Sequence, residues 1–371
     1  MEYLLSVVIP TKNRFKYLKQ LLSYVVRFEG NGIEFVIQDN TEDNTEIIEF
    51  LKTIDCTNVK YFHTRESIPI SKNSDLAISN STGEYVCFIG DDDGVLPQII
   101  EQVTAMKKFG YDAMLTRTAI YNWPDYKDTG YFHMSATLAV DEPAGRNYVL
   151  KTSEEVKKVI CSGFKNMGKI PKVYQAVVKR STLDLIYSRC GTFFPGPSPD
   201  MANAIALCSV IEEVWYNDDV TIITGQSRCV GGGERLMKEL VQITERPAIS
   251  KDILDYWDPK LPTLWCTDTI WPGSAFISAN KMNLNLSFDY NKIYARFIFH
   301  HPNYKSAIQS FKKNCLLLCL YKYELFVSQG IKWILNRISY VLSGKTKIQN
   351  QRLFRNVNSI AEASDMIRNL N

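Results

Sequence analysis

The sequence lacks several features that would each define a class of protein. Its nine cysteines include no Cys-x-x-Cys pair, which excludes a zinc ribbon or a thioredoxin-type centre and indicates a reducing compartment. Its apolar segments all fall short of the roughly 18 residues that span a bilayer. Residues 1–10 also lack the pattern of a signal peptide. We therefore predict a cytoplasmic protein that is not integral to the membrane.

Other absences limit the chemistry. A Gly-x-Gly-x-x-Gly element does not follow Ile9, which disfavours a Rossmann dehydrogenase. The basic, glycine-rich phosphate loop of a nucleotidyltransferase is missing there too, and we find no nucleic-acid-binding motif. The four histidines include no pair at metal-ligand spacing, and in an extended chain His300 and His301 would point in opposite directions. A histidine as third metal ligand remains an open alternative.

What the sequence does contain is an alternation of short apolar runs with helical patterns over residues 1–120. Strands are predicted at 4–9, 33–37, 59–63, 85–89 and 112–117, with helices at 17–25, 45–51, 71–79 and 97–110. This alternation is typical of βαβ units and predicts an α/β fold with a mostly parallel sheet. Polar clusters follow the first, second and fourth strands, at the strand ends where ligands bind in such sheets.

The most acidic of these clusters is Asp91, Asp92 and Asp93. Neighbouring carboxylates disfavour joint ionisation, and a divalent cation relieves that repulsion. Mg²⁺ and Mn²⁺ prefer hard oxygen ligands and commonly bridge one or two carboxylates to substrate phosphates. The cluster therefore predicts a metal site. The alternative is a solvated acidic loop that caps the helix predicted to begin at Pro97.

Four segments in this order resemble family 2 glycosyltransferases of the GT-A (Rossmann-like) fold. They are residues 6–14 (SVVIPTKNR), residues 36–40 with Asp43 (VIQDN), residues 83–86 (GEYV) and residues 90–93 (GDDD), and the similarity covers about residues 4–115. The resemblance implies a nucleotide-sugar-binding domain. It also implies an inverting transfer of a sugar from a nucleotide diphosphate, usually with Mn²⁺ or Mg²⁺.

The resemblance also assigns roles to residues. Asp39 would face the base and ribose, although it is also suited to cap a turn at the strand end. Asn73 with Lys72 resembles the family's basic-Asn pair near the diphosphate; an exposed helix start is the alternative. Pro10 and Thr11 would border the nucleotide. The full set expected to bind the nucleotide sugar is Pro10, Thr11, Asn13, Arg14, Asp39, Lys72, Asn73, Asp91 and Asp92.

For the metal, Asp91 and Asp93 match the family's Asp-x-Asp element. Family members often carry the element Asp-x-Asp-Asp, with a proline four residues after its last aspartate. If Pro97 is that proline, the element corresponds to residues 90–93. Gly90 then stands at its first acidic position, and Asp92 would be the main ligand. We therefore retain Asp91, Asp92 and Asp93 as candidate metal ligands.

An inverting transferase also needs a carboxylate to accept the proton of the acceptor hydroxyl. The family places this base at the start of a helix that follows a loop of small residues, and Asp200 after the segment 194–199 (FPGPSP) fits that description. Capping of the helix by Ser198 or Asp200 is the alternative. Glu212, Glu213 and Glu234 are weaker candidates for the base.

Charge and glycine content divide the rest of the chain. Residues 302–371 hold 11 Lys and Arg against 3 Asp and Glu, and apolar residues between 331 and 342 share one helical face. Such a helix is suited to bind an anionic membrane surface, to pack on the catalytic domain or to contact another subunit.

Residues 231–235 (GGGER) could form a lid over the bound donor, with Arg235 contacting phosphate, or an ordinary linker. We predict a catalytic domain at 1–225, an acceptor-side extension at 226–300 and a basic helical region at 301–371.

The sequence thus predicts a metal-dependent hexosyl- or N-acetylhexosaminyltransferase that uses a nucleotide-sugar donor. The expected donor is a UDP-sugar. The expected acceptor is a glycan or lipid-linked saccharide of surface polysaccharide synthesis, and the expected location is cytoplasmic, at or near the inner face of the membrane. Homo-oligomers are compatible with this prediction, whereas nucleic acid is not expected as a partner. The alternatives are a catalytically degenerate scaffold subunit that binds nucleotide sugar and a metal-dependent nucleotidyltransferase.

Overall fold

The structure is a computed structural model that describes residues 3–28, 32–54, 56–127, 134–228, 239–246, 249, 251–343 and 351–370. Its first eight major elements agree with the predicted ones to within two residues at either end. They are β1 (Leu5–Thr11), α1 (Phe15–Val25), β2 (Ile33–Asp39), α2 (Thr45–Leu51), β3 (Val59–His63), α3 (Ile70–Ser79), β4 (Tyr85–Phe88) and α4 (Ile99–Phe109).

The centre of the sheet is parallel, as predicted. Strand β1 lies between β2 and β4, β3 lies outside β2, and all three pairings are parallel. The register places Thr11 opposite Asp39, and Asp39 opposite His63, at the last residue of each strand. The carboxyl ends of these strands therefore share one edge of the sheet. The α/β fold-class prediction is confirmed.

Antiparallel strands extend the sheet beyond β4. The added strands are β5 (Gly94–Val95), β6 (Ala113–Asn122), β7 (Thr137–Asp141), β8 (Tyr148–Lys151), β9 (Val177–Lys179), β10 (Glu213–Gln226) and β11 (Gln351–Arg355). The sheet order is β11-β7-β6-β9-β4-β1-β2-β3, and β10 runs parallel to β6 while pairing antiparallel with β5 and β8. The strand predicted at 112–117 continues to Asn122 because β10 pairs with it from Met114 to Asn122.

Helices cover both faces of this sheet. Side chains alternate along β1, so that Leu5, Val7 and Ile9 enter one apolar cluster while Val8 enters another on the opposite face. Helices α1 and α4 contribute to the first cluster and α3 to the second. The remaining helices are α5 (Thr152–Cys161), α6 (Arg180–Cys190), α7 (Pro199–Cys208), α8 (Thr267–Lys281), α9 (Tyr290–His300), α10 (Cys315–Ser343) and α11 (Ile360–Arg368).

The C-terminal residues form additional helices, as expected, but they also return to the sheet. Strand β11 pairs antiparallel with β7, and α11 places Ile360 and Ile367 in the same apolar cluster as β1. Helix α10 packs through Leu318 and Leu325 with the cluster formed by α9. Among the helices that the structure describes, none combines the length and the apolar character needed to cross a membrane.

The prediction for the adjacent histidines was wrong. His300 ends helix α9 instead of lying in an extended chain, and His301 follows at its C-terminal cap. The two rings consequently approach the same buried carboxylate: Asp268 lies 2.6 Å from His300 Nδ1 and 3.8 Å from His301 Nε2. Arg296 Nη2 also contacts Asp268 at 2.9 Å, so this cluster links α8 to α9.

Candidate active site

The predicted nucleotide-binding residues meet where β1, β2 and β4 end. Thr11, the last residue of β1, donates a hydrogen bond from Oγ1 to Asp91 Oδ2 at 2.6 Å. Its carbonyl accepts the Asn40 amide at 3.0 Å, and its strand partner is Asp39. Thr11 therefore lies directly between Asp39, the last residue of β2, and the acidic cluster that follows β4.

Asp39 is fully buried and engaged with its own neighbourhood. Its Oδ1 accepts the Thr41 amide at 2.8 Å, which is the turn-capping alternative, and its Oδ2 accepts the Tyr61 hydroxyl at 2.7 Å. Burial raises the pKa of Tyr61, and the hydrogen bond to Asp39 raises it further. An ionised carboxylate has about four acceptor positions, so these two bonds leave acceptor positions of Asp39 unused.

The remaining predicted nucleotide residues surround these strand ends. Asn13 has a positive φ of 59° and donates its amide to Thr41 Oγ1 at 2.8 Å, which joins the loops after β1 and β2. Asn73 is buried, and its Nδ2 lies 3.4 Å from the Thr11 carbonyl and 3.3 Å from that of Gln38. Lys72 is exposed and Pro10 is half-buried. Asn73 thus braces the strand ends, while Lys72 remains accessible.

Arg14 neutralises the first two residues of the acidic cluster. Its Nε lies 2.6 Å from Asp91 Oδ1, and its Nη2 lies 2.7 Å from Asp92 Oδ2. Burial alone would lower the pKa of Arg14, but Asp91 and Asp92 raise it. Ser227 also donates to Asp92 Oδ2 at 2.6 Å. Residues 14 and 227, far apart in the sequence, therefore converge on this pair of carboxylates.

Asp93 is directed into the protein. Its Oδ1 accepts the Gly225 amide at 2.7 Å and its Oδ2 accepts the Gly90 amide at 2.8 Å, while Gln175 Nε2 lies 3.1 Å from both oxygens. Gln175 reaches this position with a positive φ of 55°, an uncommon conformation for a residue other than glycine. Asp93 thereby connects the turn after β4 to the end of β10.

Burial raises the pKa of two carboxyls of the cluster, those of Asp91 and Asp93. It raises the pKa of Asp91 to about 6, although Arg14 acts in the opposite direction. Burial also raises the pKa of Asp93, with a further contribution from the neighbouring Asp92 and opposition from the donors on Gly90 and Gly225.

Of the three aspartates in the acidic cluster, Asp92 is better placed than Asp93 to bind a divalent cation. No group of three or more His, Cys, Asp or Glu side chains in the described ranges is arranged as a ready metal site. Both oxygens of Asp93 are already used internally, and both oxygens of Asp91 contact Thr11 or Arg14. Among the described residues, the hydrogen bond and the ion pair of Asp92 use Oδ2, so Oδ1 is the candidate oxygen for a cation.

The candidate base, Asp200, lies in the first turn of α7 beside Pro199. It is partly accessible; burial raises the pKa of its carboxyl, and the nearby Lys172 opposes that shift. Helix α7 is tied to the segment that carries Gln175, because Asn203 Oδ1 accepts the Val173 amide at 2.9 Å. The same segment bonds to β4, where Phe88 accepts the Gln175 amide at 2.7 Å. These hydrogen bonds therefore link the helix that carries Asp200 to Gln175, which contacts Asp93.

Sequence reasoning missed several residues of this site. Trp123 donates to the Asp92 carbonyl at 2.9 Å, and a Cβ on Gly225 would lie 1.7 Å from that same oxygen. Gln175 and Ser227 were missed as well. None of the four belongs to a recognised segment, so only their long-range contacts identify them. Gly225 had the best local signal, since glycine in a strand interior often marks a close backbone approach.

The weaker candidates for the general base that the structure describes do not lie at the acidic cluster. Glu213 is exposed at the first residue of β10, whereas that strand reaches the acidic cluster with Gly225 near its other end. Glu212 is also exposed. The proposed lid at residues 231–235, together with Glu234, falls outside the described residues, as does His133.

Comparison with known proteins identifies the N-terminal part of the chain. Residues 6–171 match the model of a family described as glycosyl transferase family 2. The glycosyltransferase GlyG of Streptococcus pneumoniae is 24% identical over 176 residues, which are 43% of this chain and 58% of that protein. The GalNAc(5)-diNAcBac-PP-undecaprenol β-1,3-glucosyltransferase of Campylobacter jejuni is 27% identical over 111 residues, 29% of this chain and 35% of that one.

The matches therefore span less than two thirds of these relatives' length. Among solved structures, S. aureus TarS residues 1–349 in complex with UDP-GlcNAc aligns over 81% of this chain and 73% of its own, with 15% identity and a TM-score of 0.49. The family match covers the strands and turns that build the site, from β1 through the acidic cluster. The chain thus carries, over residues 6–171, a domain of glycosyl transferase family 2.

Proposed function

We propose that this chain transfers a sugar, with inversion at the anomeric carbon, from a UDP-sugar to a hydroxyl of a glycan or lipid-linked saccharide. The observation that carries the proposal is the position of Thr11. It joins Asp39, which we assign to the uracil and ribose, to Asp91 of the cluster that we assign to the diphosphate. A nucleotide diphosphate has these two parts at its opposite ends, and the strand ends supply a partner for each.

Asp200 would act as the general base. In an inverting transfer the acceptor O–H gives its proton to the carboxylate as the oxygen attacks the anomeric carbon. The bond from that carbon to the diphosphate breaks, and the nucleotide leaves with the electron pair. Burial raises the pKa of Asp200, while the N-terminus of α7 and Lys172 act in the opposite direction. A carboxylate with a raised pKa is a stronger proton acceptor.

Charge on the departing diphosphate would be stabilised at the acidic cluster. When bound there through Asp92, Mn²⁺ or Mg²⁺ would supply Lewis-acid stabilisation of the phosphate oxygens. The protein contributes the rest: Asp93 holds the turn in place through Gly90 and Gly225, and Arg14 brings a fixed positive charge beside Asp91 and Asp92. Preorganised charges of this kind lower the barrier because they need no reorganisation during the reaction.

Replacement of Asp200 tests the enzyme assignment. Donor hydrolysis and transfer by wild type and Asp200→Asn are measured with a panel of UDP-sugars, and UDP binding is measured by calorimetry. We expect turnover to fall by about 10²–10⁴-fold with UDP affinity unchanged, since general-base catalysis contributes that much. Asp184→Asn is the control because Asp184 is exposed on α6.

Equal turnover in wild type and Asp200→Asn would contradict the role of Asp200. If wild type and the variant both bind UDP but neither turns over any donor, the scaffold alternative is favoured. Formation of a nucleotide sugar from a sugar phosphate and a nucleoside triphosphate would favour the nucleotidyltransferase alternative.

The surface of helix α10 supports the proposal that the acceptor is held at a membrane. Large apolar side chains of this helix are 50–70% exposed, and six of them share one helical face. Lysines precede the helix, and the region from 302 to 371 has a clear excess of positive charge. An apolar stripe with basic flanks suits the interface of an anionic bilayer. The stripe consists of Leu316, Leu320, Tyr323, Ile331, Ile334 and Ile338.

Vesicle binding tests this part of the proposal. We expect wild type to sediment with vesicles that contain anionic lipid, and more weakly at high salt. Replacing Leu320, Ile331 and Ile334 by glutamate should lower the partition coefficient at least about 100-fold, because each buried side chain contributes about 1.5–3 kcal/mol. The same binding after the triple substitution would contradict a membrane role for α10. The matched control carries glutamate at three exposed apolar positions elsewhere, Leu185, Leu254 and Tyr256.

A further inference from the structure

We propose that Arg14 is the resident counter-cation of the acidic cluster, and that it restricts binding of a divalent cation until a nucleotide diphosphate arrives. The inference rests on the proposed function, because it concerns how the same site acquires its metal and donor. It assigns to Arg14 a positioning and gating role that the resemblance to the family does not supply.

The guanidinium contacts Asp91 and Asp92, including the carboxylate through which a cation would bind. Its Nε and Nη2 approach one oxygen of each carboxylate, at 2.6 and 2.7 Å, and Nη2 also donates to Ser227 Oγ at 3.0 Å. The group is held from the other side by Tyr17, whose ring centroid is 4.9 Å from the Arg14 Cζ. The Arg14 side chain is only 14% exposed. This placement is therefore fixed by packing as well as by charge.

The electrostatic balance of the cluster disfavours a metal ion on its own. Asp91, Asp92 and Arg14 together carry one net negative charge when ionised. A divalent cation bound to these carboxylates without a further anion would face the guanidinium at close range. Such repulsion is costly where water is largely excluded. A diphosphate brings the negative charge that makes both cations compatible.

The hydrogen bonding of Arg14 also indicates an additional acceptor. Its Nη1 is buried and has no partner among the residues that the structure describes. Buried donors are almost always satisfied, and an unpaired one costs about 1–3 kcal/mol. A phosphate oxygen of the donor would satisfy Nη1 while Nε and Nη2 remain on the two carboxylates. The cation and the diphosphate would then bind together.

The same helix region provides a matched control. Arg27 Nη1 contacts Asp365 at 3.0 Å, and its Cζ lies 5.4 Å from the ring centroid of Tyr24. Arg27 therefore has the same kinds of neighbour as Arg14, but its side chain is 43% exposed and lies away from the acidic cluster. Removing the charge at position 27 should not affect metal binding.

The experiment measures Mn²⁺ affinity by electron paramagnetic resonance, with and without UDP, for wild type, Arg14→Gln, Arg14→Lys and Arg27→Gln. We expect UDP to tighten Mn²⁺ binding to wild type by about tenfold or more. Without UDP, Arg14→Gln should bind Mn²⁺ about tenfold or more tightly than wild type, since its carboxylates have lost their counter-cation. Arg14→Lys, which keeps the charge, and Arg27→Gln should resemble wild type.

Equal UDP-free affinity in wild type and Arg14→Gln would overturn the inference, as would Arg14→Lys behaving like Arg14→Gln. Should Arg14→Gln fail to fold, wild type and Arg14→Lys still decide it, because Mn²⁺ affinity that does not respond to UDP contradicts the proposed coupling. Failure of wild type to bind UDP under any condition would instead refute the proposed function. The two failures are thus distinguishable.

Discussion

Replacement of Gly225 by alanine is the most direct test of how the acidic cluster is positioned. A Cβ at this position would lie 1.7 Å from the Asp92 carbonyl oxygen and 2.5 Å from its carbon. Real Cβ contacts are not shorter than 3.0 Å, so these atoms must separate by about 1.3 Å. Both belong to the backbone, and no side-chain rotation relieves the contact. The shift would also strain the bonds that Gly225 and Trp123 make to this turn.

The expected result is a large loss of activity in a folded protein. A misplacement of about 1 Å in a catalytic group can lower the rate about 100-fold, so donor hydrolysis should fall by at least that factor. Overpacking typically destabilises by about 1–3 kcal/mol, which should lower the melting temperature by several degrees without abolishing folding. Activity is measured as UDP release, and unfolding by calorimetry.

Gly330→Ala is the matched control for this substitution. Its Cβ would meet no atom within 4 Å among the described residues, and it lies inside α10, where alanine should stabilise the helix by about 0.5–1 kcal/mol. Activity of Gly225→Ala equal to that of Gly330→Ala, with an unchanged melting temperature, would refute the reasoning that Gly225 positions Asp92.

Two further predictions concern buried carboxylates. Glu34 accepts from Ser6 Oγ at 2.6 Å and contacts Lys60 Nζ at 2.6 Å; burial alone would raise the pKa of Glu34, but these partners and Thr82 hold it below its usual value. This stability is present above the unfolded pKa of about 4.3 and lost as the pH falls below it. In urea unfolding, the advantage of wild type over Glu34→Gln should be about 1–3 kcal/mol at neutral pH and disappear in acid; an advantage that persists in acid would contradict this. Asp39→Asn should weaken UDP binding about 10–100-fold in calorimetry, because a bond to a charged group is lost, and unchanged affinity would remove Asp39 from the site.

The sequence determined the central sheet and predicted where the candidate site lies. Strands such as β3 and helices such as α2 were predicted with their observed bounds, because length and apolar pattern are local properties. The polar clusters at strand ends then indicated the site, because the carboxyl ends of parallel strands share one edge. Thr11, Asp39 and Asp91 were predicted neighbours, and the register of β1 and β2 with the Thr11–Asp91 bond brings them together. The predicted membership in glycosyl transferase family 2 is confirmed for residues 6–171.

Only the tertiary structure decided which of these side chains are available for chemistry. Whether Asp93 faces a ligand or the interior depends on Gln175 and Gly225, which lie 82 and 132 positions further along the chain. The partner of Arg14 likewise depends on contacts across 77 positions. Local sequence patterns do not encode such contacts, since they arise when β10 and the segment before β9 pack against the turn after β4. The sequence therefore determined where charged side chains are concentrated along the chain. Packing determined which of them neutralise one another and which are left to bind a ligand.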